Sequence, residues 1–526
     1  VNLGNLATRV ARAVFALPAA ADTAPPKVQA AAHQGASLDL RDLATWQPTR
    51  GSADADLLPE LDLLTARSRD LARNTDVAAG AFQTMVDNVV GTGLRLSSTP
   101  DYRLLGKDKA WAEDWSNIVE AHWRTYANST TCDASGTMTL SGLCALAFRS
   151  ALMSGDAVGL ALWLPRPGER WATKIQIIEA DRLSNPNDAP DSATLRAGVE
   201  IDNFGAPIAY HIRRAHPGDW YVGWGSPAFA WERIPATTAW GRRRVLHAVD
   251  RERPGQTRGK PLLAPVLRRF KVLDRYETAE LQAAVVNAMI AAFIQTPMEQ
   301  ESIVELFHGD QAAYLDARGK QAVQLEGGGI YPLFPGDTLA PFTPSRPASA
   351  FGPFTETVLR QIAAGINLPY ELLMKDFSKT NYSSARAALL EAWRFFRGRR
   401  EWHAQSWMTP IYELWLEEAI NAGIIDAPGY YENRAAYARC RWIGPGRGWV
   451  DPVKEAQAAQ IRMTSGLSTL EAECSEQGLD WEEVLEQQAT ENARRRELGL
   501  AIPGAPVIVP DTSPAEAEPA AQTQQG

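Results

Sequence analysis

The stretch LPYELLMKDFSKTNYSSAR, Leu368 to Arg386, decides how this chain is organised. On its N-terminal side, Phe354 to Ile366 has the period of a helix, with Val358, Leu359, Ile362 and Ile366 on one stripe. Gly365, Asn367 and Pro369 then supply stop signals in quick succession. On its C-terminal side, Ser383 or Ser384 is expected to cap a second, longer helix through Leu389, Trp393 and Phe396. The connection between them carries Lys375, Asp376, Ser378, Lys379, Thr380 and Asn381. Two readings fit such a segment: a working loop held out by two helices, or an ordinary helix–helix connector.

Upstream of this stretch the chain begins with residues 1 to about 60, rich in Ala, Pro and Asp and weak in periodicity, which read as a mobile arm with one short helix. Leu61 to Asn88 turns helical, with Leu63, Leu64, Leu71, Val77 and Phe82 at near-helical spacings. Trp111 to Tyr126 is a further amphipathic helix, presenting Trp115, Ile118, Val119, His122 and Trp123. His122 has no second His, Cys or carboxylate at ligand spacing on that face and reads as a packed side chain. After a helix at Leu140–Met153 the period changes. Strands are expected at Ala157–Leu164, Thr173–Ile178, Gly198–Ile201 and Ile208–Ile212, with turns at Pro165–Gly168 and Asn203–Gly205. This α+β unit extends to about Val249. Its Trp220, Trp224, Trp231 and Trp240 fall in loop-like sequence without regular spacing, so packing or subunit contact explains them better than a sugar platform.

Arg242, Arg243, Arg244, Arg251, Arg253, Arg258 and Lys260 form the densest basic patch. RPGQTRGKP is not a phosphate loop of the GxxxxGK[ST] kind: Gly255 and Gly259 stand too close, and Pro261 follows Lys260 where a magnesium-binding hydroxyl belongs. It reads as a turn whose Arg251, Arg253, Arg258 and Lys260 make intersubunit contacts, or, as the alternative, bind phosphate. Pro261 to Ile294 is the longest helical pattern, about 45 Å at the usual rise, with Pro265 tolerable only near its start. A short helix at Glu301–Phe307 and a small hairpin over Val323–Phe334 follow, and Pro335–Pro353 is a Pro-rich return.

Past the opening stretch, the helix from Ser384 is expected to run to Trp407, break at Pro410 and resume to Ala419. Its Arg394, Arg397, Arg399 and Arg400 interleave with Trp393, Phe395, Phe396 and Trp402. That pattern fits a grip on nucleic acid, but a buried aromatic stripe beside a solvated basic face explains it as well. Three capped helices close the pattern: Asp451-Pro452 to Gly466, Ser468 with Glu471 to Gly478, and Asp480 with Glu483 to Gly499. Beyond Ile502 the composition is that of a disordered tail.

Composition narrows the function classes. The apolar fraction is 45% and the charged fraction 22%, ordinary for soluble globular protein, and the net charge is −9. That balance argues against a surface that wraps duplex DNA, which needs clustered cations to release counterions. Cys132, Cys144, Cys440 and Cys474 are scattered and form no CxxC, as expected of reduced, buried thiols. The N-terminal ATRVARAVFALPAAA is broken by Arg12 and Pro18, unlike a signal peptide, and no apolar run is long enough to span a bilayer. No HExxH, GxSxG, CxxC pair or Walker A motif appears, so no catalytic residue, metal ligand or cofactor is assigned. Gly444-Pro445-Gly446-Arg447-Gly448 is glycine-rich but lacks the strand and helix expected around a dinucleotide. Composition and spacing alone stop at a multi-part soluble protein without a visible active site.

Three segments carry a resemblance. NYSSARAALLEAWRFF (from Asn381), DRERPGQTRGKP (from Asp250) and DPVKEAQAAQIRMTSGLSTLEAECSEQGLDWEEVLEQQATE (from Asp451) are similar to the lambda-type portal proteins of tailed bacteriophages, in that family's order. The resemblance runs from about Leu61 to Leu500. It implies an α+β, mainly helical portal fold with wing, long-helix stem, small α/β clip and helical C-terminal crown. On this chain it implies a mobile arm at 1–60, a wing at 61–250, a basic turn and first stem helix at 251–294, and a clip at 295–350. A second stem helix at 351–366, a tunnel loop at 367–383, a wing return helix at 384–450, crown helices at 451–500 and a disordered tail at 501–526 complete it.

The function implied is a ring, usually a dodecamer, at one capsid vertex, through which DNA is packaged and ejected. Implied partners are double-stranded DNA, terminase, head-completion or adaptor proteins and the major capsid or scaffold protein, with no membrane. The location implied is the virion, and the host cytoplasm during assembly. The tunnel loop would set Lys375 and Lys379 around the channel as a weak cationic collar, with Asp376, Ser378, Thr380 and Asn381 beside them. The competing classes are a carbohydrate-active enzyme with Trp platforms and paired carboxylates, and a capsid scaffold that does not contact DNA.

Overall fold

The computed structural model describes residues 33–38, 40–219, 229–289, 292–295, 338–341, 351–448 and 451–500. Residues up to Asp56 form one unit and those from Leu57 a second. The described part of the first holds a 3-10 turn at Gln34–Ala36 and the first residues of a short helix, Ala53–Leu57.

In the second unit the helical run from Leu61 is two helices, α1 (Leu61–Asn74) and α2 (Asp76–Val89), rather than one. Thr75, β-branched and extended at φ −124° and ψ 117°, separates them. Strand β1 (Arg95–Ser98) leads to α3 (Lys109–Ala127). The Asp108 carboxylate accepts the Trp111 N–H at 2.8 Å and so caps α3. Trp115, Val119, Trp123 and Tyr126 then fall on one buried face. His122 is partly buried on this helix, and burial pulls its pKa down. Helix α4 (Leu140–Ser154) stops at Gly155, whose φ of 94° is left-handed. The backbones of Gly155 and Gly259 lie so close that a Cβ on Gly259 would stand 1.8 Å from the Gly155 oxygen. Gly259 is therefore a packing glycine, not part of a phosphate cradle.

Strands β2 (Asp156–Trp163), β3 (Thr173–Ile178), β4 (Leu195–Arg196), β5 (Val199–Ile201), β6 (Pro207–Arg213), β7 (Trp231–Pro235) and β8 (Val245–Val249) follow. They form two antiparallel sheets, ordered β3-β2-β8 and β4-β5-β6-β7. Neither β7 nor β8 is legible in the sequence. Trp231, expected in a loop, opens β7 opposite Arg213, whose guanidinium lies 4.5 Å from the indole ring centre. Trp240 is in a turn and largely exposed, and Trp220 and Trp224 lie outside the described residues.

Helix α5 (Leu267–Met289) has 23 residues, about 35 Å, and is shorter than the expected 261–294 span. Pro261 and Pro265 hold residues 261–266 in turns, since neither can donate to a helical ladder. At its other end the chain continues as β9 (Ala292–Gln295), paired antiparallel with β10 (Thr338–Pro341). The helix expected at Glu301–Phe307 and the hairpin at Val323–Phe334 lie outside the described residues.

After α6 (Phe351–Gly365), α7 (Tyr370–Met374) and α8 (Tyr382–His403), the chain passes through one π turn, Ala404–Met408, into α9 (Thr409–Asn421). The expected break at Pro410 is thus displaced upstream. Pro410 has no N–H for the carbonyl four residues back, and the helix widens ahead of it. The Ser406 hydroxyl donates to the Trp402 carbonyl at 2.7 Å within that turn. A short α10 (Arg434–Tyr437) precedes β11 (Cys440–Ile443), which returns to pair antiparallel with β1. A strand therefore does precede the glycine-rich run at 444–448, contrary to expectation. It belongs to a two-stranded ladder, and the Gly446 backbone packs against Gln477, so no dinucleotide cradle forms. Helices α11 (Pro452–Thr464), α12 (Leu470–Glu476) and α13 (Trp481–Glu497) end the described chain. Asp451 and Asp480 cap as expected, whereas Thr469 rather than Ser468 caps α12.

The tryptophans go mainly into one core. Trp123 meets Tyr412 and Trp415 edge-on at 5.6 and 5.2 Å, and Trp171 lies 5.4 Å from Trp415. Cys132, Cys144 and Cys474 are buried free thiols and Cys440 is half-buried and free. His403 is wholly buried beside Phe148 and Trp407, and Nε2–H donates to the Cys144 carbonyl at 3.0 Å. Desolvation pushes its pKa down from 6.5 to about 4. The unfolded chain therefore takes up this proton first, so the stability is present above pH 6.5 and is lost as pH falls toward 4. His403→Gln is expected to flatten the fall in melting temperature across that window, measured by thermal denaturation at a series of pH values.

Candidate nucleic-acid interface

The loop between α6 and α8 is built from its own backbone and side chains. Leu359, Ile362 and Ala363 bury one face of α6. The chain then turns at Asn367, φ 57°, while Leu368 and Leu373 anchor the following turn in the core. Helix α7 occupies part of the segment expected as open loop. It ends at Lys375, which adopts the left-handed conformation, φ 54°, and donates its backbone N–H to the Glu371 carbonyl. The Asp376 carboxylate accepts the Ser378 N–H at 2.9 Å, and the Ser378 hydrogen bonds hold its pKa below the usual range. The Thr380 hydroxyl donates to the Phe377 carbonyl at 2.9 Å. Asn381, not Ser383 or Ser384, is the cap of α8. Its side chain accepts the Ser384 N–H at 2.8 Å, and the Ser384 hydroxyl accepts the Asn381 N–H at 3.1 Å. These bonds leave the side chains of Lys375, Phe377, Ser378 and Lys379 exposed.

The two lysines differ. Lys379 donates to Glu356 of α6 at 2.7 Å, and Glu356 also receives Arg360 at 2.9 Å. Arg360 in turn lies over the Tyr370 ring at 4.4 Å. The hydrogen bond from Lys379, then that from Arg360, holds the Glu356 carboxyl below its ordinary range, and the Lys379 ammonium is raised by the same contact. Among the described residues Lys375 forms no ion pair. Arg360, Lys375 and Lys379 are thus balanced locally by Glu356, Glu371 and Asp376. Of the two lysines of the expected collar, Lys379 is engaged by Glu356 and Lys375 has no ion pair among the described residues.

The basic turn is a structural element. Arg258 is 4% exposed, and its guanidinium meets Asp156 at 2.5 Å and the carbonyls of Ala180, Leu183 and Ala197 at 3.0–3.1 Å. It has no surface from which to reach a phosphate or a neighbouring subunit, which corrects the expectation for this residue. The turn is closed by Gln256, which accepts the N–H groups of Glu252 and Arg253 and donates to the Arg258 carbonyl at 2.9 Å. Arg251 donates to the Gln256 carbonyl at 2.9 Å, and Lys260 pairs with Glu252 at 2.6 Å. Arg251 and Arg253 lie on the surface.

The interleaved arginines of α8 divide likewise. Arg400 donates to the carbonyls of Asn88 and Val89 at 2.8 and 3.0 Å and lies over Trp393 at 5.0 Å. Desolvation, then the neighbouring Arg397, pushes its pKa down to about 10. Arg399 pairs with Asp250, and only Arg394 and Arg397 are exposed. Among the buried carboxylates, Glu417 pairs with Arg242 at 2.9 Å and Glu418 accepts the N–H groups of Ala172 and Thr173 at 2.7 and 2.9 Å. These adjacent residues are taken up by different neighbours. Among the described residues no His, Cys, Asp or Glu cluster could hold a metal, and no helix is long and apolar enough to cross a membrane.

The description of the lambda family of phage portal proteins matches residues 39–400. The chain belongs to that family. It is 34% identical over 493 residues to portal protein B of Escherichia phage lambda, covering 90% of this chain and 91% of that one. It is 34% identical over 483 residues to the portal protein of Escherichia phage N15, covering 88% and 89%, and 26% identical over 469 residues to a probable portal protein of Halomonas phage phiHAP-1, covering 87% and 85%. Among solved structures it aligns at TM-score 0.43 and 14% identity with a chain from the neck of an empty gene transfer agent particle, covering 89% of this chain and all of that one. The described residues have the mainly helical α+β build that the family implies.

Proposed function

We propose that this portal protein closes with copies of itself, twelve by the family's habit, into a ring whose channel carries double-stranded DNA during packaging and ejection. In this reading 61–250 with 384–450 form the wing, α5 and α6 the stem, 295–350 the clip, 367–383 the tunnel loop and 451–500 the crown. Terminase, and later the head-completion proteins, dock on the clip. The major capsid or scaffold protein meets the ring during assembly in the host cytoplasm. The protein itself does no chemistry: motion of the DNA is driven by the separate terminase, in keeping with the broken phosphate-loop pattern at Gly255–Pro261.

The observation that carries the loop assignment is the exposed, self-hydrogen-bonded turn holding Lys375 and Lys379 clear of the core between two packed helices. Few exposed cations on an acidic chain guide a polyanion without trapping it, because each contact is salt-screened. Lys375→Ala with Lys379→Ala is expected to reduce packaged DNA or its retention while rings still form, as judged by negative-stain microscopy. Unchanged DNA content and retention would remove the loop from this role. A scaffold that never meets DNA predicts that null result, and a glycosidase predicts a small oligomer with hydrolytic activity.

A further inference from the structure

We infer that Glu356 is a built-in competitor for Lys379, a positioning residue that limits how firmly the loop grips DNA. The inference rests on the channel reading above and adds a residue outside the loop to it. Lys379 is not waiting in solvent for a phosphate; its ammonium is already 2.7 Å from the Glu356 carboxylate on α6. A phosphate oxygen offers the same chemistry, an anionic acceptor for a charge-assisted N–H bond. Engaging DNA therefore exchanges one exposed ion pair for another instead of creating a new one.

Arg360 makes that exchange easy in both directions. It stands one helical turn from Glu356, with Nη2 at 2.9 Å and Nε at 3.3 Å, and is steadied by the Tyr370 ring. When Lys379 leaves, the Glu356 carboxylate keeps a cation. When DNA moves on, the carboxylate is still in place to take the ammonium back. The loop's short hydrogen-bonded turns keep the exchange local, with Asp376 holding Ser378 and Asn381 fixing the start of α8. Lys375, without such a partner among the described residues, is the lysine always available to the duplex.

The test uses purified rings and a short fluorescent DNA duplex, titrated over a range of salt concentrations. Glu356→Gln keeps the side-chain length and helix propensity but removes the competitor. It is expected to tighten binding by about two- to fivefold for each lysine engaged, the range an exposed pair allows, and to steepen the salt dependence. Glu356→Asp, which keeps a carboxylate, is expected to stay near the parent protein. In a Lys379→Ala background Glu356→Gln is expected to change nothing. If Glu356→Gln binds DNA with the parent's affinity and salt slope while Lys379→Ala weakens binding, Glu356 is not a competitor and this inference fails alone. If Lys379→Ala and Lys375→Ala together leave binding unchanged, the channel reading fails and takes this one with it.

Discussion

Arg258→Ala is expected to destabilise the protomer by about 3–5 kcal/mol, the cost of removing one member of a buried ion pair. Asp156 is wholly buried, and its carboxylate is held by Arg258 at 2.5 Å and by His247 at 3.1 Å. Burial alone would raise the Asp156 pKa, but the Arg258 charge and the His247 hydrogen bond overcome it and hold the group well below the usual carboxylate range. Without Arg258 the chain must either bury an unpaired charge or protonate Asp156. Three carbonyls, of Ala180, Leu183 and Ala197, lose their donor as well. Arg258→Lys is expected to rescue little, since a point charge cannot serve a carboxylate and three carbonyls at once. The pH signature follows from the depressed pKa: the stabilisation is present above the unfolded value of 3.8 and is lost as pH falls below it. Denaturant unfolding at neutral pH and at pH 3 checks both parts. If Arg258 acted instead at the surface, the variant would unfold like the parent.

Trp415→Ala is expected to cost a similar amount, about 3–5 kcal/mol, by a different route. Trp415 is fully buried and is ringed by Trp123, Tyr126, Trp171 and Tyr412, with ring centres 5.2–6.3 Å away. Those partners come from α3, from the residues just before β3 and from α9, so the cavity would loosen the junction of helices and sheet. Trp415→Phe fills most of that volume and loses no hydrogen bond, because the indole N–H has no partner among the described residues. It is expected to recover most of the loss. Melting temperature and the quenching of the remaining tryptophans report on the two variants, and equal stability of Trp415→Ala and the parent would contradict this account of the core.

The first prediction concerns a residue whose sequence context misleads. Arg258 stands in a run of seven basic residues, the usual mark of a surface, yet it is the one that β2 and the 180–197 segment enclose. Sequence offers a single faint signal, Asp156 opening an otherwise apolar strand, where an unpaired carboxylate cannot be left. Lys379 misleads in the same manner. Its exposure is read correctly from a polar loop, but its partner Glu356 is 23 positions away on α6, and no local pattern encodes that. Strands β7 (WERIP) and β8 (VLHAV) escape notice because each is only five residues long and neither alternates cleanly between buried and exposed positions.

Local chemistry, by contrast, is legible. The caps Asp451 and Asp480, the glycine stops at 466, 478 and 499, the buried stripe of α3 and the exact span of β3 all follow from residue type and spacing within one element. The three quoted segments also carry the family, because their order along the chain is itself a sequence property. Tertiary structure alone decided which charges are free. It enclosed Arg258, tied Lys379 to Glu356, and left Lys375 outside. The reason is that hydrophobic periodicity acts over a turn of helix or a pair of strand residues, whereas an ion pair depends on where two distant elements come to rest, and the free energy of a charge depends on how much water remains around it.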